Sequence, residues 1–373
     1  PWCEKSVEAK SANSTLFTRQ FIVLCLSTLL FFLSFNLIIA ELPAWLDSLG
    51  GKQYLPFIIP LFTFSALISR PFSGHLADTI GRKPIIFVGI AASLACSIAY
   101  PLTIGVFGFF LIRFLHGFST GFAPTGTTTI LSDLVAPARR GEAMGILGIS
   151  GSMGMASGPF IGSSIALEYG HQAMFFTAAG FAVLSILVLL NIEETLVNKE
   201  KFGIRTLYIP KSAVYEPRVL LPALMALLLL FPFGVIITVI PDKCDLLNIV
   251  NRGEFFFYFV FSSILIRLPA GRFSDRVGRS ALTLIAAILF TVSMILIALA
   301  DTHLSLMLAA GVTGIAGGIN SPVLFAWTAD LADEDFRARA FSTTFMALEI
   351  GIGTGGLIGG YIYGNDPDRI NHP

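Results

Sequence analysis

The chain has 373 residues, of which 54% are hydrophobic and only 13% are charged. Soluble domains carry roughly 25% charged residues, so this composition excludes an ordinary soluble protein and indicates one that crosses a membrane several times. The 24 basic and 24 acidic residues balance, and the net charge therefore gives no reason to expect nucleic acid as a partner.

The sequence predicts eleven helical spans, each near the roughly 20 residues needed to cross about 30 Å of hydrocarbon. Six precede a polar stretch at 193–217 that contains Lys199, Lys201, Arg205 and Lys211, and five follow it. We number the spans 1 to 11 in chain order: 20–41, 54–76, 84–103, 106–134, 141–168, 172–192, 218–241, 253–273, 280–300, 303–331 and 339–363.

Lysines and arginines alternate between the loops, which predicts the orientation because positive residues in short loops are retained on the cytoplasmic side. One side has only Lys52, Lys243, Arg252 and Arg369. The other side, which includes the N-terminus and the stretch 193–217, carries Lys5, Lys10, Arg19, Arg82, Lys83, Arg139, Arg140, Arg272, Arg276, Arg279, Arg337 and Arg339. We therefore place the N-terminus in the cytoplasm.

A polar motif between spans 2 and 3 recurs between spans 8 and 9. The copies, Gly74 to Lys83 and Gly271 to Arg279, are separated by 197 positions (271 minus 74). The same separation relates Arg70 to Arg267, Gly117 to Gly314, Asp133 to Asp330 and Arg140 to Arg337. One fixed separation over so many positions indicates duplicated halves.

The repeat predicts a six-helix half at 1–192, a linker at 193–217 and a second half at 218–373. Span 6 shifted by 197 positions predicts a twelfth helix that begins near residue 369, where the chain ends. The chain also begins with Pro1 rather than methionine. We therefore expect a fragment that lacks helix 12.

The repeated motif has a defined chemistry. Its first glycines, Gly74 and Gly271, permit close backbone approach. Its carboxylates, Asp78 and Asp275, can accept N–H groups at a helix terminus. Gly81, Arg82, Lys83, Gly278 and Arg279 complete the two loops. A generic positively charged turn is the alternative, which the recurrence of the motif disfavours.

Span 5 contains regularly spaced small residues. At about 100° per residue, Gly151, Gly154, Gly158 and Gly162 share one narrow face, which predicts close packing on a neighbouring helix. Pro159 weakens the helix locally and predicts a bend. The motif as a whole comprises Gly145, Gly154, Gly158, Pro159 and Gly162.

Taken together, these motifs resemble the major facilitator superfamily, and more closely its drug:proton antiporter branch. Gly74 to Lys83 resembles the signature loop of the superfamily, and Arg113 resembles an arginine that is linked to proton coupling. The span 5 glycines with Pro159 resemble an antiporter motif, although Ser163 stands where a further glycine is usual. Span 1 also lacks the central aspartate that many relatives carry.

The resemblance implies an all-α polytopic membrane protein with two pseudosymmetric six-helix halves. It implies a monomeric transporter in the plasma membrane or the bacterial inner membrane, which binds a small molecule and protons and needs no cofactor or metal. It also implies that Asp78 contacts the start of span 11, at 338–343. By the repeat, Asp275 then contacts the start of span 5, at 140–143, and we expect this second contact to be weaker because Ser280 replaces Lys83.

Charged residues within membrane spans are costly and suggest function. We expect Arg113 and Glu349 to face a central cavity and to couple transport to protons, although a buried carboxylate with a packing role is the alternative for Glu349. Arg70 and Arg267 lie near span ends, and we expect both to extend toward the membrane surface and to be structural.

Other polar residues and several aromatic ones are candidates for the substrate cavity. Asn36 and Asn320 can also bond neighbouring helices, and a packing contact is the favoured interpretation for His116. The candidates are Asn36, Glu41, His116, Asn320 and Trp327. An apolar or amphipathic ligand would suit the aromatic residues, although phenylalanine facing lipid is commoner: Phe62, Phe64, Phe256, Phe257, Tyr258, Phe325 and Trp327.

The favoured function is export of a small amphipathic molecule, driven by proton entry through alternating access. The sequence lacks the motifs of nucleotide-driven pumps, zinc proteases and serine hydrolases, which disfavours an enzyme. Proton-symport uptake of a sugar or other metabolite is one alternative. A non-transporting sensor or scaffold is another, which the two intact loops and Arg113 disfavour.

Overall fold

The computed structural model describes residues 16–210, 213–249 and 254–364, and the regular structure in these ranges is helical. Within Arg140–Leu189, Gly170 has a φ of 86° and separates α5 (140–169) from α6 (171–189). The other long helices are α1 Arg19–Leu37, α2 Ile58–Thr79, α3 Arg82–Ala99, α4 Gly105–Leu134, α7 Leu220–Leu246, α8 Glu254–Val277, α9 Arg279–Leu299, α10 His303–Leu331 and α11 Arg337–Gly364.

The predicted spans 1 to 11 correspond to α1 to α11, and the all-helical fold class is confirmed. Within the described ranges, nine helices are long and apolar enough to cross a membrane. The α5–α6 unit counts as one of these, and α2, which contains Arg70 and His75, is too polar to be among them. The predicted twelfth helix lies outside the described residues, as do Lys5, Lys10, Lys211, Arg252 and Arg369.

The last glycine of each repeated motif forms the turn between two helices. Gly81 has a φ of 129° and Gly278 has a φ of 106°. Residues with a Cβ rarely adopt this backbone region, whereas glycine enters it freely. The motif therefore ends α2 and α8 sharply, so that α3 and α9 can begin at the next residue.

The packing of α1 on the α5–α6 unit is the main contact within the first six helices. Gly154 and Gly158 lie against the backbone of α1, and Gly162 lies against the carbonyl oxygen of Leu37. The predicted packing face on span 5 is therefore present. Pro159 lies inside the helix, and within Arg140–Leu189 the dihedral angles are non-helical only at Gly170. The bend at Pro159 stays a prediction.

Replacing Gly162 with alanine should destabilise the protein by about 1–3 kcal/mol, because the new Cβ would collide with the Leu37 carbonyl oxygen. Thermal unfolding in detergent measures this change. Gly180→Ala is the matched control, since a Cβ there meets open space and alanine favours the helix. A Gly162→Ala variant as stable as Gly180→Ala would contradict the packing.

The first six helices and the last five meet at one end of the bundle. There α2 packs on α11 and α5 packs on α8. Gly74 lies against Ser342 of α11, and Gly271 lies against the backbone of Gly141 on α5. We call this the basic end, because it carries Arg82, Lys83, Arg140, Arg279, Arg337 and Arg339.

Candidate functional site

Asp78, in the last turn of α2, contacts the first turn of α11. Its Oδ1 accepts a hydrogen bond from the backbone N–H of Ala338 at 2.9 Å, and its Oδ2 accepts one from that of Arg339 at 2.8 Å. The first N–H groups of a helix have no partner within the helix and carry the positive end of its dipole. The predicted contact is present, and we call it the Asp78 clasp.

Asp275 makes the equivalent contact with the first turn of α5, the Asp275 clasp. Its Oδ1 accepts from the N–H of Gly141 at 3.0 Å and its Oδ2 from that of Glu142 at 3.1 Å. Arg279 lies 2.6 Å from the same carboxylate. The partner residues of the two clasps are related by the same 197 positions as the aspartates, so the sequence repeat is also a spatial repeat.

Two further aspartates bind the arginines at the basic end. Asp133 lies 3.3 Å from Arg82 and 2.7 Å from Arg337. Asp330 lies 2.9 Å from Arg279 and 3.1 Å from Arg140. Each aspartate therefore pairs with one arginine from its own group of helices and one from the other group. The repeat had already related Asp133 to Asp330, a signal that could have identified them as site residues.

Other acidic residues at the basic end had no signal in the sequence. Glu194 accepts the backbone N–H groups of Arg82 and Lys83, each at 3.0 Å, and so caps α3. Glu216 pairs with Arg339 at 2.5 Å. Glu194 and Glu216 lie between α6 and α7, where no periodic pattern indicates their position.

Beyond the clasps lies a cavity of about 470 Å³ between the two groups of helices. Most of its lining is apolar, and the amphipathic ligands of such cavities commonly contact aromatic side chains. Nine phenylalanine rings of α1, α2 and α7 to α11 contribute: Phe31, Phe32, Phe35, Phe62, Phe233, Phe259, Phe290, Phe325 and Phe345.

Three charged residues line this cavity: Arg70, Arg267 and Glu349. Arg70 is 3% exposed, and its Nη2 lies 3.2 Å from Oε1 of Glu349. Our expectation that Arg70 and Arg267 extend toward the membrane surface is therefore wrong. Arg70 points inward because a carboxylate of α11 balances its charge, and Arg267 points inward as well, with Ser263 as its hydrogen-bond partner.

The prediction that Arg113 and Glu349 both face the cavity holds for Glu349 and is wrong for Arg113. Arg113 is buried on the side of α4 that packs against α2. Its Nε donates to the carbonyl oxygen of Ile58 at 3.1 Å, and its guanidinium lies 4.3 Å from the ring centroid of Phe62. Arg113 therefore holds the start of α2 against α4.

Of the five polar and aromatic cavity candidates, Asn320 alone lines the cavity. His116 is fully buried, and its Nε2 lies 3.2 Å from the Ser93 hydroxyl, which agrees with a packing contact. Asn36 bonds to a backbone carbonyl of its own helix. Trp327 also lies outside the lining.

Glu41 is also away from the cavity, at the end of the bundle opposite the clasps. Its Oε1 accepts a hydrogen bond from the Ser163 hydroxyl at 2.6 Å, and its Oε2 lies 3.4 Å from His171. Ser163, which departs from the glycine expected at this position, therefore has a partner in Glu41. This pair ties the residues after α1 to α5.

The predicted aromatic lining is only partly correct. Phe62 and Phe325 line the cavity. Phe64, Phe257 and Tyr258 are instead exposed on the outer surface, as expected of residues that face lipid. Phe256 and Trp327 also lie outside the lining. Helix faces decide this difference, and a run of aromatic residues does not reveal them.

Comparison with known sequences identifies one family over most of the chain. The sequence profile described as Major Facilitator Superfamily matches residues 24–243 and 253–366. The chain is 28% identical to the multi-drug resistance efflux pump PmrA of Streptococcus pneumoniae, over 89% of this chain and 86% of that protein. It is 26% identical to the multidrug resistance protein MdtG of Klebsiella pneumoniae, over 89% of this chain and 84% of that protein.

Comparison with solved structures supports the same fold. The human organic anion transporter MFSD10 superposes with a TM-score of 0.80 at 19% identity, covering 92% of this chain and 93% of that one. The proton:xylose symporter XylE superposes with a TM-score of 0.75 at 14% identity, covering 95% of this chain and 90% of that one. At these identities the superpositions show a shared fold.

Proposed function

Because the chain belongs to the major facilitator superfamily, a family of multi-pass membrane transporters, we propose that it exports a small amphipathic molecule in exchange for protons. The molecule and the protons would reach the cavity from either side in turn, by alternating access. The similarity to PmrA, whose name states that it is an efflux pump, supports export rather than uptake.

The observation that carries this proposal is the pair of clasps above a charged, otherwise apolar cavity. We assign the two clasps as a gate, which closes the basic end when Asp78 and Asp275 are bonded and opens it when both contacts break. Each clasp joins the two groups of helices. The gate comprises Gly74, Asp78, Gly81, Arg82, Lys83, Gly271, Asp275, Gly278 and Arg279.

Glu349 is the group that we assign to proton binding. It lies in the cavity, its carboxylate contacts Arg70 across the two groups of helices, and protonation would remove that attraction. Arg113 would act indirectly, by positioning α2. The motif of Gly145, Gly154, Gly158, Pro159 and Gly162 would keep α1 and α5 together as the two groups move.

Several further assignments belong to the same proposal. We place the basic end in the cytoplasm, because the positive residues of alternate loops collect there. The two moving units would be the halves at 1–192 and 218–373, with 193–217 as their linker. The protein would act as a monomer in the plasma membrane.

Transport by the purified chain in vesicles tests the proposal. Fluorescent amphipathic probes of negative, zero and positive charge are added outside vesicles whose interior is either acidic or alkaline. An antiporter should accumulate a probe in acidic vesicles, as protons leave, and a protonophore should abolish this accumulation. Accumulation in alkaline vesicles would instead establish symport. No gradient-dependent movement of any probe would favour the non-transporting scaffold.

A further inference from the structure

Arg70 and Arg267 occupy equivalent positions in the repeat, yet their surroundings differ. Arg70 has partners from two other helices, α4 and α11. Its guanidinium lies beside Oε1 of Glu349 at 3.2 Å, the Thr125 hydroxyl at 3.2 Å and the Gly121 carbonyl oxygen at 3.4 Å, and 4.1 Å from the ring centroid of Phe345. Arg70 thus has a carboxylate, a hydroxyl, a carbonyl oxygen and an aromatic ring around its guanidinium.

The repeat gives the residues that would surround Arg267 in the same way. A shift of 197 positions takes Glu349 to Ser152, Phe345 to Gly148 and Thr125 to Pro322. The carboxylate, the ring and the hydroxyl that hold Arg70 are thus replaced by a short hydroxyl, a glycine and a proline.

Contacts between the two groups of helices show that residues 197 positions apart occupy equivalent places in the structure. In the two clasps, the aspartates and their backbone partners are all related by this separation. Next to the arginines, the Ser342 hydroxyl donates to the carbonyl oxygen of Arg70, and a Cβ at the equivalent residue, Gly145, would lie 3.0 Å from the carbonyl oxygen of Arg267. Gly148 likewise faces Nη1 of Arg267, as Phe345 faces Arg70. The equivalence therefore extends from the clasps into the cavity.

Arg267 consequently lacks a counter-charge. Its Nε donates to the Ser263 hydroxyl at 3.3 Å, and among the described residues no carboxylate forms an ion pair with it. The charged side chains of the cavity lining are Arg70, Arg267 and Glu349, which leaves one positive charge in excess. A cation in an apolar cavity is costly unless an anion pairs with it.

We propose that Arg267 binds the carboxylate of the transported molecule, and that the substrate class is therefore an amphipathic organic anion with an apolar body. This inference rests on the proposed function, because it names the substrate of the same cavity. The carboxylate would occupy the place that Glu349 fills beside Arg70, next to Ser152. At Gly148, where the other site has Phe345, the guanidinium of Arg267 lies directly over the glycine. The apolar body would contact the phenylalanine rings of the lining.

The geometry also indicates what binding would do. Glu349 joins α11 to α2 through Arg70. A carboxylate bound between Arg267 on α8 and Ser152 on α5 would make the equivalent bridge between the other two helices. The substrate would thereby complete a second charged contact across the two groups of helices.

The test uses a pair of probes that differ in charge and hardly in shape, 1-pyrenebutyrate and its methyl ester. Binding is measured by fluorescence on the full chain in lipid nanodiscs. We expect the carboxylate to bind about 10- to 100-fold more tightly than the ester, as a charge-assisted bond to arginine allows. In Arg267→Gln this ratio should fall to about one, with unchanged binding of the ester. Arg276→Gln removes the same charge from the exposed surface and should keep the ratio.

A second pair of variants tests the site without removing Arg267. Ser152→Glu places a carboxylate where the repeat expects one, and should weaken carboxylate binding at least about tenfold by occupying the arginine. Ser152→Gln has the same size without the charge and should keep the preference. Ester binding shows that each variant is folded, and Arg267→Lys, which retains the charge, should keep part of the preference.

Equal binding of the two probes by the unaltered protein would overturn the inference. So would a carboxylate preference that survives both Arg267→Gln and Ser152→Glu. These outcomes are separate from the vesicle experiment. If uncharged or cationic probes move with the gradient but the protein does not prefer the carboxylate, the proposed function is supported and the Arg267 site is refuted. If the protein shows an Arg267-dependent preference but no transport, the site is supported and the proposed function is refuted.

Discussion

Glu349→Gln should lower proton-driven transport by about 100-fold, the scale of a lost proton-transferring group. Glutamine keeps the shape of the side chain but cannot bind and release a proton. Among the described residues, Glu349 is the one carboxylate that lines the cavity. Initial rates of probe movement, measured with and without a pH gradient, give the effect.

Two controls make this result specific. Exchange of probe against probe needs no proton, so it should continue in Glu349→Gln, although Arg70 then lacks its counter-charge and some loss of stability is expected. Glu254→Gln removes a carboxylate that pairs with His303 at the surface, and should transport normally. Full gradient-driven transport by Glu349→Gln would show that the proton binds elsewhere.

Asp78→Asn should open the basic end about tenfold more often, because the charge that holds the first turn of α11 is lost. In a protein whose other cysteines have been replaced, a cysteine at position 152 in the cavity lining reports this opening. Its alkylation by an impermeant thiol reagent, added at the basic end, should accelerate by the same factor. Transport should slow, while the protein remains folded and inserted.

Asp275→Asn should act in the same direction with a smaller change. Lys83 adds two bonds beside the Asp78 clasp, to the carbonyl oxygens of Leu190 and Ile192, and the equivalent residue beside the Asp275 clasp is Ser280.

Cross-linking tests the gate directly. If no cross-link forms between position 78 and positions 338 to 343 in any state of an active protein, Asp78 does not close the basic end.

The fold could be predicted almost completely from the sequence, for a physical reason. Each membrane helix needs its own apolar stretch of a fixed length, so the spans are visible without knowledge of their neighbours. The Asp78 clasp was predicted from the resemblance to the superfamily, and the repeat then placed the Asp275 clasp. That helix N-termini attract carboxylates is the physical reason for both contacts.

The interior of the site was harder to predict, because it depends on which helix faces meet. Arg70 and Arg113 show the difficulty. Because Arg70 lies near the end of its span, we predicted that its side chain extends toward the membrane surface. It instead pairs with Glu349 of α11, which is 279 positions away in the sequence. Arg113 is deep within its span, yet it bonds to α2 instead of facing the cavity. The hydropathy pattern indicates how deep in the membrane a residue lies, but it does not indicate which helix the side chain contacts.

The pairing of Asp133 and Asp330 has a consequence for the speed of the conformational cycle. When the two groups of helices separate, Asp133 loses Arg337 but retains Arg82, and Asp330 loses Arg140 but retains Arg279. Neither carboxylate passes through a state without a counterion. Since a buried charge that loses its only partner is what makes such separations costly, we expect this shared pairing to lower the activation barrier to the proposed opening.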